Sequence, residues 1–211
     1  FESLDLLKNK YQDQFICIDS PGEFNYSKIN NEGVSNTKED YVLLLNNDIL
    51  IDANYSITTL LKTHYFYNAI ITGSKLLYPS GRIQHNGLAT TKEKHVAVHS
   101  PFRGRNTNLT HGLLPKGDSH TWDQTHECSA VTAACMLMKK EDFLSIGGFD
   151  ESFKVAYNDV DLCFRARERH VSRPVICSSD TKIIHLESES RGSDKDDEKA
   201  ARLYHERIKL I

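Results

Sequence analysis

At 211 residues, with 39% apolar and 26% charged side chains, the chain has the make-up of an ordinary globular domain with enough material for one buried core. A formal net charge of −3 leaves no electrostatic footprint for nucleic acid as a partner. No apolar run approaches the roughly 20 residues that a membrane-spanning helix needs, the longest being Tyr41 to Leu45. Cys17, Cys128, Cys135, Cys163 and Cys177 are odd in number, widely spaced and without a CxxC pair. That pattern argues against a disulfide framework or a structural zinc site and fits small buried thiols in a reducing cytoplasm. Sequons at Asn25, Asn54 and Asn108 would matter only in a secreted protein, which nothing else indicates.

In chain order, Leu4 to Lys10 reads as a helix and FICID (Phe15 to Asp19) as a strand. After the turn at Pro21-Gly22, the polar stretch FNYSKINNEGVSNTKED is predicted helical. YVLLL (Tyr41 to Leu45) is a continuous apolar run of strand length, the signature of a strand buried on both faces in a parallel sheet. A helix is expected from Asn54 to His64, a strand from Ala69 to Tyr78, and a hairpin through the Pro79–Gly81 turn into RIQHNGLAT. From Lys92 to Glu127 periodicity is lost, as in functional or mobile loops. Ser129 to Lys140 reads as a strand and KEDFLSI as a short helix, stopped by Gly147 as a left-handed cap. Asn158 to His170 is a second helix with Val160, Cys163 and Phe164 as its inner stripe. VICSSDTKIIHLES holds two short apolar runs ending near His185, and residues 194–211 form a charged segment predicted to be a helical tail. Strand and helix alternate through this pattern, which makes the class α/β.

Three constellations could carry chemistry. Asp48 comes soon after the apolar run of Tyr41–Leu45, just past the carboxyl end of a strand, where ligands bind in open α/β sheets. A carboxylate there, beside the amides of Asn46 and Asn47, suits a hard divalent cation that also holds phosphates; a turn closing the strand is the simpler alternative. Asp159 and Asp161 fall at the amino end of a helix, where the dipole and free N–H groups stabilise a carboxylate that could accept a proton. An N-cap with a first-turn acid explains them equally. Residues i and i+2 do not share a helix face, so one of the pair is catalytic or substrate-binding and the other structural. His185 closes the last strand pattern and, taken alone, is an ordinary surface or core histidine. The ten histidines do not form a zinc hydrolase signature: HExxH is absent, and His95 and His99 lie in a strand-like context where i+4 spacing does not converge.

Taken in order, FNYSKINNEGV, YVLLLNNDILI, GSKLLYPSGRIQHNGL, SAVTAACMLMKKEDFLSIGGFDESF, NDVDLCFR and IIHLESESR resemble family-2 glycosyltransferases, inverting enzymes of the GT-A fold, in particular bacterial enzymes of surface-polysaccharide and lipopolysaccharide synthesis. The resemblance spans Phe24 to Arg191 and implies a GT-A-like mixed, mostly parallel sheet flanked by helices over residues 1–193. Asn46-Asn47-Asp48 matches the family's DxD-type motif, with Asn46 in place of the first acid, so the metal, Mn²⁺ or Mg²⁺, would rest on Asp48. His185 matches a histidine that some relatives use as a further metal ligand. Asp159 matches the aspartate of the Glu-Asp motif, the usual general base, with Asn158 in place of the glutamate and Asp161 in reserve. Asp150 and Glu151, in the GGFDE segment, would meet the acceptor; Asn31, Asn47, Gln84 and His85 would lie near the donor, and Trp122 would contact a glycan.

The resemblance also implies that the family's first strands precede Phe1, so that the chain is expected to be truncated at its amino terminus. The expected function is transfer of a sugar from a nucleotide-diphospho-sugar to a glycan or lipid-linked hydroxyl, in the cytoplasm or peripherally at the inner face of its membrane. A non-catalytic carbohydrate-binding or scaffold module of the same fold is the main alternative, and a nucleotidyltransferase is a second, disfavoured because no Gly-rich, Lys-bearing phosphate loop is visible.

Overall fold

The structure, a computed structural model, describes residues 2–51, 56–89, 98–99 and 124–186. Helix α1 (Glu2–Tyr11) leads through a short 3₁₀ turn (Gln12–Gln14) into an extended segment. The expected strand at Phe15 to Asp19 does not form. Ile16 there is exposed, so the segment lacks the packing on which strand propensity depends. Helix α2 (Tyr26–Asn36) begins at Asn25, whose side chain accepts the Lys28 N–H at 3.0 Å, an N-cap that satisfies one otherwise orphaned donor.

The central sheet collects β1 (Tyr41–Leu45), β2 (Ile49–Ile51), β3 (Ile71–Leu77), β4 (Ile83–His85), β7 (His126–Glu127), β8 (Cys135–Lys139) and β9 (Val175–His185). β5 (Leu88–Ala89) and β6 (Val98–His99) pair separately. Around them lie α3 (Ser56–Phe66), α4 (Lys140–Ser145) and α5 (Asn158–Arg169). The sheet has the order β1-β8-β3-β9-β2, with β4 on β3 and β7 on β9.

The mixed, helix-flanked sheet is as expected, but its strand directions differ from a mostly parallel one. Among the described residues only β3 and β9 run parallel; the other pairings of the sheet are antiparallel. Among the described residues β1 pairs with β8 alone, and its burial alternates, with Val42 and Leu44 buried between more exposed neighbours. An apolar run of five therefore serves a strand with one fully covered face, which period-2 geometry permits. The strand expected from Ser129 starts only at Cys135. The preceding turn is drawn onto the sheet at Gly73, where a Cβ would lie 2.5 Å from that of Val131.

β9 is one strand rather than two short runs. Its register with β3 slips midway: Ser74 faces Ser178 and Leu76 faces Ile183, so five residues of β9 are spent against two of β3. Such a bulge bends the strand and re-aims the residues beyond it. The Ser74 and Thr181 hydroxyls hydrogen-bond across it, which keeps these buried oxygens paired.

The main core lies between the sheet and α5, where Val160, Leu162, Cys163 and Ala166 pack with Val131, Met136, Met138, Phe143 and Val175. Helix α4 ends as the sequence predicts. Gly147 at φ +80° donates to Leu144 O, and Gly148 donates back to Phe143 O, the paired bonds of a Schellman cap. The charged tail at 194–211 lies outside the described residues.

Candidate active site

Past the last residue of β1 the chain turns through Asn46, Asn47 and Asp48, held to the Ala134 carbonyl by the Asn46 N–H at 3.0 Å. Asp48 enters β2, which is zipped to the end of β9 with Ile49 opposite His185. The Asp48 carbonyl accepts the Leu186 N–H. This pairing also joins the side chains: His185 Nε2 lies 3.1 Å from Asp48 Oδ1, with both side chains mostly buried.

Gln84, from β4, completes this cluster. Its Oε1 lies 2.7 Å from His185 Nδ1, and its Nε2 donates toward the His185 carbonyl at 3.4 Å. The second contact orients the amide, so Nδ1 is the imidazole nitrogen that donates. Nε2 is then the ring nitrogen that faces the Asp48 carboxylate, so an imidazole nitrogen and a carboxylate oxygen stand side by side as two ligands of one cation would. A histidine oriented by a hydrogen bond on its other nitrogen is also how protein metal ligands are usually held. Among the described residues no group of three or more His, Cys, Asp or Glu side chains converges on a metal position, so protein ligands alone would leave much of the shell to phosphate oxygens and water.

The second acid comes from α5. Tyr157 precedes it in the left-handed region at φ +60°, a conformation that costs a non-glycine residue energy and is found where the chain must be aimed. Asp159, in the first turn, receives the Val160 N–H on Oδ1 at 2.8 Å and the Ala133 N–H on Oδ2 at 3.3 Å. Burial pushes its carboxyl above the ordinary aspartate value, opposed by the amides of Ala133 and Val160 and the Thr132 hydroxyl. A carboxylate held in this way is a better proton acceptor than a solvated one.

Asp48 and Asp159 line one pocket, a cavity of about 530 Å³. Its polar lining includes Asn46, Asn47, Thr132 and Asn158, and its apolar lining Phe24, Tyr26, Ile29 and Leu45. Asp161 takes no part in it. Arg165 grips Asp161 Oδ2 through Nε at 2.8 Å and Nη2 at 2.6 Å, and its Nη1 reaches the Ile146 carbonyl.

Other predicted residues are placed elsewhere. Asn31 does not line the pocket; it accepts the Phe149 N–H at 2.9 Å and donates to Phe149 O and Glu151 Oε1. It therefore clamps the GGFDE segment. Asp150 closes its own turn by accepting the Ser152 N–H, as short acidic side chains do in loops. His85 is buried behind the pocket, where Nε2 accepts the N–H groups of Gly87 and Thr132, each at 3.3 Å. It props up the pocket wall. Trp122 lies outside the described residues. Sequence reasoning missed Phe24, Tyr26, Thr132, Ala133 and Asn158 as lining residues. The small-residue run TAA could have betrayed a turn, because it shows no strand periodicity.

No protein-family model matches the chain. A solved structure of GalNAc-T7 with UDP, GalNAc and Mn²⁺ superposes with a TM-score of 0.69 over 99% of this chain and 38% of that one, at 10% identity. The chain has a GT-A-like fold. The GT-A likeness is joined by sequence relatives. The O-antigen biosynthesis protein RfbC of Myxococcus xanthus is 31% identical over 92% of the chain. The low-salt glycan biosynthesis hexosyltransferase Agl10 of Haloferax volcanii is 28% identical over 76%. These matches bear out the resemblance to glycan-building glycosyltransferases. The chain spans 14% of the length of RfbC and 48% of that of Agl10.

Proposed function

We propose that this chain forms the transfer site of a metal-dependent, inverting glycosyltransferase. It would move a hexosyl or N-acetylhexosaminyl group from a nucleotide-diphospho-sugar to a hydroxyl of a glycan or lipid-linked acceptor in cell-envelope polysaccharide synthesis. One observation carries the reading: Asp48, backed by His185, and Asp159, with its raised pKa, wall the same pocket. The similarity to RfbC and Agl10 and the GT-A fold support the reaction class.

Asp48 and His185 would hold Mn²⁺ or Mg²⁺. The cation, when bound, offsets the charge that grows on the departing nucleoside diphosphate. Asp159 takes the proton from the acceptor hydroxyl as its oxygen bonds to the anomeric carbon. The bond from that carbon to the diphosphate breaks on the opposite face, which inverts the configuration. Gln84 keeps His185 in its tautomer, and the Ala133 N–H holds Asp159 against the pocket wall. Phe24, Tyr26, Ile29 and Leu45 offer apolar surface for the faces of a base or sugar. No helix among the described residues is long and apolar enough to cross a membrane; we place the protein in the cytoplasm, meeting a lipid-linked acceptor peripherally at the membrane's inner face.

Calorimetric titration with UDP-, GDP- and dTDP-sugars, with and without Mn²⁺, tests the reading. Metal-dependent binding of one donor, weakened in Asp48→Ala, is the expected result. Absence of binding to every donor would leave the non-catalytic carbohydrate-binding module as the better reading.

A further inference from the structure

The turn from Ala130 to Ala134, which leads into β8, is fixed peptide by peptide. The Ala130 carbonyl accepts the Leu88 N–H at 2.8 Å, and the Ala130 N–H returns to the Leu88 carbonyl at 3.3 Å, which ties the turn to β5. The Tyr26 hydroxyl donates to the Ala133 carbonyl at 3.1 Å, and the Ala134 carbonyl accepts the Asn46 N–H. The amides of Thr132 and Ala133 go to side chains. Ala133 donates to Asp159 Oδ2 and Thr132 donates to His85 Nε2, each at 3.3 Å.

His85 is buried, with 3% of its surface exposed, and the same Nε2 accepts the Gly87 N–H at 3.3 Å. Nε2 therefore carries the lone pair, and the neutral ring keeps its proton on Nδ1. Burying an imidazole is costly unless its polar atoms are used. What this one supplies, and an apolar side chain could not, is an acceptor for two backbone N–H groups from separate segments. One of those groups belongs to the peptide next to the one that holds Asp159. Peptide planes are rigid and neighbours share a Cα, so fixing the Thr132 N–H limits where the Ala133 N–H can point.

We infer that His85 is a positioning residue for the proton acceptor: by holding the Thr132 N–H it sets the turn whose next amide, that of Ala133, is aimed at Asp159. For the part Asp159 plays, the inference rests on the glycosyltransferase reading. Without His85 the Ala133 N–H loses its aim and the carboxylate loses a donor. Of the titratable groups around Asp159, Cys163 lies on its own helix, Tyr26 reaches the same turn from α2, and Asp48 lines the same pocket. Substitution of His85 leaves all three in place, so a change at Asp159 reports the turn.

The test reads Asp159 directly. Its carboxyl is titrated by carbon NMR in the full chain labelled at aspartate, with Asp159→Asn identifying the signal. In His85→Leu, which removes the acceptor, the midpoint should rise by about one pH unit, because a carboxylate that loses an amide donor binds its proton more tightly. His85→Gln, whose Oε1 can stand where Nε2 does, should return the midpoint close to that of the wild type. His85→Asn, whose acceptor stops short of Thr132, should behave as the leucine variant does and serves if that variant does not fold. Binding of UDP-, GDP- and dTDP-glucose in Mn²⁺ should persist throughout. An unchanged midpoint in the folded variants, or no recovery with glutamine, overturns the inference and leaves the transferase reading standing. So does a parallel loss of Mn²⁺-dependent binding, which would mark a general collapse of the wall. Failure of the wild-type chain to bind any of these donors overturns the transferase reading, and the part of His85 in transfer with it.

Discussion

The first turn of α5 carries two carboxylates in opposite circumstances. Asp161 faces away from the pocket, and a single guanidinium occupies one of its oxygens through two hydrogen bonds. Asp159 faces the pocket, held by backbone amides and raised in pKa by burial. Their place at the helix start explains either, and only the resemblance set Asp159 ahead, with Asp161 in reserve. The difference lies in how their negative charge is satisfied: Asp161 is paired with a guanidinium of its own helix, whereas Asp159 is held by dipoles alone and burial raises its pKa.

The largest expected effect comes from Asp159. Asp159→Asn should lower the transfer rate by about 10²–10⁴-fold, the usual worth of general-base help, with donor binding nearly unchanged by calorimetry. Because the base must be ionised to act, the wild-type rate should fall with acidification through a pKa above the ordinary aspartate value of 3.8; a rate flat across the acid range would remove Asp159 from the mechanism.

Next is the frame that delivers the turn into α5. Gly148 has φ +68°, and a Cβ there would lie 2.6 Å from Asn31 Oδ1 and 2.9 Å from the Phe143 ring. Gly148→Ala should cost on the order of 2–3 kcal/mol in a denaturant melt, whereas Gly33, with open space where its Cβ would point, should accept alanine without such a loss.

A smaller effect belongs to the other end of the pocket. Asp48→Ala should weaken Mn²⁺-dependent donor binding by roughly tenfold or more, the scale on which metal sites respond to a lost partner, with little change in metal-free binding. Equal affinities in Mn²⁺ would count against Asp48 as a ligand.

Smallest is Asp161→Asn. The pair with Arg165 is partly exposed on the guanidinium side, so solvent screening limits the loss to about 1 kcal/mol of stability, and transfer should persist. A variant that melts normally but does not turn over would reverse the roles assigned to the two acids.

Much of the architecture was legible from local chemistry. The Gly147 cap, the Pro79–Gly81 hairpin and the inner stripe of α5 all arise from turn residues and periodicity, which act over a few positions. The direction of strand pairing was not legible, because Tyr41–Leu45 reads the same whether its neighbour runs up or down. In the site, Asp48, His185 and Gln84 were each flagged from separate segments, and their meeting depends on β2, β4 and β9 converging, which no single stretch encodes. For Asn31 the motif position says only which segment is near, while its hydrogen bonds to Phe149 decide which way it points. Thr132 and Ala133 were hidden inside a run that looked like a strand.

The slipped register of β9 makes that strand a ruler. The pairing of Val175–Ser178 with β3 sets its zero, and His185 is read off at the far end, after the extra residues between Ser178 and Ile183. Removing one of those residues would shorten the reach by about 3.3 Å and turn His185 to the other face of the sheet; removing two would restore the face but leave the imidazole roughly twice that distance from Asp48. The length of the segment 179–182 thus sets where His185 stands against Asp48.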